Sequence, residues 1–132
     1  MKQVLISLVL FFGIVQTTMA AHDHSAEVCS TLNAALCLHL GFHSPVTTEA
    51  ASEFMVHFTS DAQALAAITN LNVELWMPSM GHGSSPVVVT KRNDAFYKVT
   101  EAWFVMSGDW EVRVSFMNNG VADQIIVPVT VK

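Results

Sequence analysis

The chain has 132 residues, with 6 Lys and Arg against 11 Asp and Glu and a formal net charge of −5. An acidic domain of this size lacks the cationic side chains that neutralise phosphates, which excludes nucleic-acid binding and strong attachment to an anionic membrane surface. Its hydrophobic share of 52 % supports one modest core.

Residues 1–20 read as a secretory signal. Lys2 supplies the positive start, Val4 to Val15 is an apolar run broken only by Ser7 and Gly13, and Thr18-Met19-Ala20 offers small residues at a cleavage site. The run falls short of the roughly 20 apolar residues that a spanning helix needs. The residue directly after the cleavage point is Ala21 and not the Cys of a lipoprotein, so the expectation is a cleaved signal and a periplasmic protein. Cleavage after Ala20 leaves 112 residues, with five basic against eleven acidic side chains and a net charge of −6. The mature chain then starts Ala21-His22-Asp23-His24. An amino terminus followed by His22 can chelate Cu(II), and His24 stands close by; a plain polar tail is the alternative.

Residues 21–46 form a helical or irregular N-terminal segment in this reading. Val28, Leu32, Leu36 and Leu40 are spaced by four, and Gly41 is a good helix terminator. Cys29 and Cys37 are the only cysteines, and in an oxidising compartment such a pair favours a disulfide. Eight helical residues span about 12 Å, whereas a disulfide requires Cα atoms within about 7 Å. An unbroken helix and this bond exclude each other. The preferred reading is a broken segment closed by the disulfide. The alternative keeps free thiols, including a Cys37, His39 and His43 metal cluster.

After Pro45 the pattern alternates with a period of two. Phe54, Val56 and Phe58 point one way, Met55 and His57 the other. Residues 61–70 are an alanine-rich connector with room for one helical turn. Strands are expected at 71–77, 87–90, 96–99, 102–106, 110–116 and 125–131. Asn118-Asn119-Gly120 is a hairpin turn, since Asn and Gly tolerate positive φ. Pro128 cannot donate to a ladder, so the last strand should sit at a sheet edge or carry its proline on the unpaired side. The fold class is therefore all-β: a single immunoglobulin-like antiparallel β-sandwich over 47–132, preceded by a short helical segment.

Met77-Pro78-Ser79-Met80-Gly81-His82-Gly83 carries the chemistry. Two thioethers and an imidazole on a loop stiffened by Pro78 suit copper, because thioether sulfur prefers Cu(I) and imidazole accepts several first-row ions. Against this stands ordinary packing of Met77 at a strand end. Met106, just before the turn Ser107-Gly108-Asp109, is a further sulfur that could approach the same loop, or fill a core gap. His57 and Met55, on one outward strand face, are additional candidates, as are His22 and His24. No Gly-x-Ser-x-Gly elbow, phosphate loop or zinc-hydrolase spacing occurs, so an enzyme is not expected.

The segments Met77-Pro78-Ser79-Met80-Gly81-His82, Phe96-Tyr97-Lys98-Val99 and Phe104 to Val112, with Pro86 between them, resemble the YtkA-like domains, which are related to FixH-like proteins. The resemblance covers roughly 50–131. It implies an immunoglobulin-like sandwich outside the cytoplasmic membrane, an association with copper supply to oxidase assembly, and the ligand set Met77, Met80, His82 and Met106. The segment 25–46 is not part of that pattern, and FixH-like proteins are membrane-anchored, whereas this chain looks cleavable.

Together these readings predict an exported protein that holds Cu(I) for buffering or for delivery to an exported or membrane-bound acceptor. Thioethers need no deprotonation, so mild acid should weaken only the histidine contribution. The alternative function is a metal-free interaction module that uses the 77–83 loop and Trp76 as contacts.

Overall fold

The computed structural model describes residues 23–132. The signal read over 1–20 and the candidate ligand His22 lie outside the described residues.

Two antiparallel sheets pack face to face. The first contains β1 (Asp23–His24), β2 (Val28–Cys29), β3 (Cys37–Phe42), β4 (Ser52–Thr59), β7 (Val88–Lys91) and β8 (Phe96–Ala102). Its order is β1-β3-β4-β8-β7, with β2 also paired to β3. The second contains β5 (Ile68–Met77), β6 (His82–Gly83), β9 (Gly108–Asn118) and β10 (Val121–Val131), in the order β10-β9-β5-β6. One short helix, α1 (Ala62–Ala66), joins β4 to β5, and its Asp61 cap accepts a hydrogen bond from the Ala64 N–H at 2.9 Å. Among the described residues no helix is long and apolar enough to cross a membrane.

Alternation builds the core. Leu38, Leu40 and Phe42 of β3, Phe54, Val56 and Phe58 of β4, and Tyr97 and Val99 of β8 face inward from the first sheet. Val73, Leu75 and Met77 of β5, Trp110, Val112, Val114 and Phe116 of β9, and Ile125 and Val127 of β10 meet them. Phe58 and Phe116 lock the two layers with an edge-to-face ring contact at 5.2 Å. The expected hairpin turn is present: Asn119 and Gly120 have φ of 50° and 78°, the two left-handed positions that a tight β9–β10 turn requires. Pro128 lies on β10 at the sheet edge, as its missing N–H demands.

Two expectations are corrected. The helical reading of the segment before the sandwich fails, because β1, β2 and β3 occupy it and belong to the first sheet. The cause is arithmetic: a spacing of four is also an even number, so Leu36 and Leu40 share one face of a strand as readily as one face of a helix. Leu36 and Leu40 are fully buried and Leu32 sits exposed on the turn between β2 and β3. The expected strand at 102–106 is a loop instead. Glu101 takes a φ of 57° in a bulge of the β4–β8 ladder, which resumes only at Ala102, paired with Ser52, where β8 ends.

Cys29 and Cys37 stand opposite each other across β2 and β3 and form the disulfide. Free thiols are thereby excluded, and with them a Cys37-based metal cluster. The bond closes a short loop, which removes unfolded-state entropy worth roughly 2.5 kcal/mol. Thermal melts with and without reductant should therefore differ by roughly 10 °C, the oxidised form being the more stable; an unchanged melt would mean that the clip constrains nothing.

Candidate metal centre

The 77–83 segment is a tight connection between β5 and β6. Met77 and His82 are register partners, so their side chains leave the same face with Cβ atoms about 5 Å apart. The turn between them is closed on the Met77 carbonyl, which accepts from the N–H groups of Met80 at 3.1 Å and Gly81 at 3.0 Å. Met80 is consequently held out at the tip, 56 % exposed. His82 is exposed too, and its Nδ1 lies 3.1 Å from the Gly83 carbonyl. A proton on Nδ1 serves that contact and leaves Nε2 with a free lone pair, the state a metal-binding imidazole needs.

The second segment arrives from β8–β9. A Cβ on Gly108 would stand 2.9 Å from Met77 Cε, so the absence of a side chain there is what admits the end of Met77 against the start of β9. Met106, two residues upstream, is half-buried against the same core. Its carbonyl accepts a hydrogen bond from Trp110 Nε1 at 2.9 Å, which anchors the 103–107 loop. Ser84 Oγ donates to the Trp103 carbonyl and ties the chain after His82 to that loop.

The expected ligands thus share one end of the sandwich but differ in access. Met80 and His82 are open to solvent, Met106 is half-buried, and Met77 is a core residue with 5 % exposure. Trp76, the contact expected for an interaction module, lies under the Arg113 guanidinium at 4.6 Å and is half-buried.

The additional candidates fall elsewhere, on the outer face of the first sheet. His57 and Met55 do share the outward side of β4, and β3 sets His39 opposite His57 and Gly41 opposite Met55. His39 Nε2 and His57 Nδ1 are 3.3 Å apart. His24, from β1, pairs with Gly41 and brings its ring to 5.6 Å from that of His39. His57 stacks on Phe96 with centroids 4.0 Å apart and planes 10° from parallel. Partial burial holds the His57 imidazole below the usual histidine range, helped by His39 and His24 and opposed by Glu27. Sequence reasoning gave His39 no place beside His57. Its outward parity on β3 was readable, but the register that pairs the two residues was not.

A family model described as YtkA-like matches residues 39–115, more than half of the chain. No curated protein matches the chain, and no solved structure does.

Proposed function

The chain belongs to the YtkA-like family, and from that premise we propose that it is an exported, periplasmic copper-binding protein. It holds Cu(I) with Met80 and His82 as the accessible donors and Met106 and Met77 as the sulfurs that complete the set. The observation that carries this reading is the β5–β6 register, which sets His82 opposite Met77 with Met80 on the turn between them. The donor chemistry fits the ion: thioethers favour Cu(I), and one neutral imidazole adds a borderline ligand. Two solvent-open donors favour exchange over permanent storage, so the role is buffering or delivery to an acceptor, with oxidase assembly as the destination and no catalytic step. The immunoglobulin-like arrangement of the two sheets and the relation to FixH-like proteins belong to this proposal.

The test is anaerobic titration of the protein against a chromophoric Cu(I) chelator. One equivalent of copper should pass from the chelator to the protein. Chelator that keeps all of its copper at excess protein contradicts the reading.

A metal-free interaction module is the second reading. It draws on Trp103 and Val105, 39 % and 52 % exposed, in the loop that carries Met106. Exposed aromatic and aliphatic side chains on one loop suit a protein contact. Elemental analysis of protein from its native compartment separates the two, since this reading requires copper to be absent.

A further inference from the structure

The geometry points to a second metal site, on the outer face of the first sheet, where His39 and His57 clamp a divalent cation of the Zn(II) type and His24 closes over it. Two nitrogens bound at about 2.0–2.1 Å to a tetrahedral ion stand about 3.3–3.4 Å apart. His39 Nε2 and His57 Nδ1 are 3.3 Å apart. Without metal that spacing is a hydrogen bond, in which one neutral ring donates to the other. To bind an ion, the donating ring moves its proton to its other nitrogen, a tautomer change that leaves both rings neutral and both facing nitrogens free.

Three features hold the clamp. Phe96 lies flat on His57 and fixes its ring plane. The Cys29–Cys37 bond pins β3 two residues from His39. Gly41 leaves the floor open for His24: a Cβ there would be 3.2 Å from His24 Nδ1 and 3.3 Å from its Cε1. Between these groups and Met55 is a hollow of about 190 Å³, far more than one ion requires. Among the described residues no three His, Cys, Asp or Glu side chains already surround a common point. Two nitrogens stand ready, and the third comes from His24, whose exposed side chain is free to turn.

The donor set selects the ion. Imidazoles suit Zn(II) and similar borderline divalent ions, whereas a thioether such as Met55 adds little for them. Lys98, beside Met55 in the register, has its charge held by Glu53 at 2.9 Å. Three protein ligands would leave a fourth position for water. This site shares no residue with the Met80 and His82 rim and does not rest on it.

The experiment is calorimetric titration of tag-free full chain with Zn(II), beside the variants H39Q/H57Q, G41V and M80L/H82A. Wild type and M80L/H82A should bind one equivalent alike, and H39Q/H57Q should bind at least about tenfold more weakly. Zn(II) should raise the melting temperature of wild type but not of H39Q/H57Q. Gly41→Val keeps all three imidazoles in the chain and should still weaken binding by displacing His24, which tests the site even if H39Q/H57Q folds poorly. No Zn(II) binding by wild type, or undiminished binding by H39Q/H57Q or G41V, overturns the proposal. Loss of Zn(II) binding in M80L/H82A instead moves the ion to the other rim and overturns it as well.

Discussion

Trp110→Ala is expected to cost about 3–5 kcal/mol of stability, the largest effect of any single substitution considered. Trp110 is 1 % exposed and lies in β9, between β5 and β10 in the second sheet. Its ring meets Phe104 edge to face at 5.5 Å. Truncation opens a cavity where two layers meet and strips the Met106 carbonyl of its indole donor. A domain of this size has about 5–15 kcal/mol of stability in all, so the variant gives up roughly a fifth or more. Trp110→Phe keeps most of the contact but not the N–H, and should cost about 1–3 kcal/mol. Urea unfolding measures both. A loss below about 1 kcal/mol for Trp110→Ala would contradict a closed core at this end of the sandwich. Because the same indole anchors the 103–107 loop, the alanine variant should also weaken any site that uses Met106.

Met80→Leu combined with His82→Ala is expected to weaken Cu(I) binding by at least about 100-fold. Loss of a group that merely supports a ligand costs 10–100-fold, and this variant removes two ligands. Leu matches Met in volume and both positions are exposed, so folding stability should stay within about 0.5 kcal/mol of wild type. That separation matters: lost affinity with an unchanged melt assigns the effect to ligation. Each single variant should fall between wild type and the double variant. Chelator competition gives the affinities, and equal values for wild type and the double variant would remove Met80 and His82 from the site.

The alternating strands were the legible part of the sequence. Phe54, Val56 and Phe58, or Trp110, Val112 and Val114, declare an inward face because a strand has period two and each keeps its apolar residues in step. The Asn119-Gly120 turn and the edge position of Pro128 follow equally from local chemistry. The segment around Val28 and Leu36 was not legible, because a four-residue spacing satisfies helix and strand alike. Only the requirement that Cys29 meet Cys37 argued against the helix.

The two candidate centres differ in the same way. Met77, Met80 and His82 lie within one short connection, so a tight turn suffices to bring them together. His24, His39 and His57 come from three strands whose alignment is set by the packing of Leu38, Leu40, Val56 and Phe58 underneath. A shift of one residue in β3 would turn His39 into the core. No local signal reports that register, and Gly41 reads from sequence as a terminator rather than as space for the His24 ring.

The proposed function requires thioether and imidazole groups to bind one copper ion at the β5–β6 end. X-ray absorption at the copper edge of the Cu(I)-loaded protein tests this most directly. The expected spectrum shows sulfur scatterers together with a single imidazole, and M80L/H82A should lose the imidazole and show fewer sulfur scatterers. A first shell of nitrogen and oxygen alone would contradict the assignment.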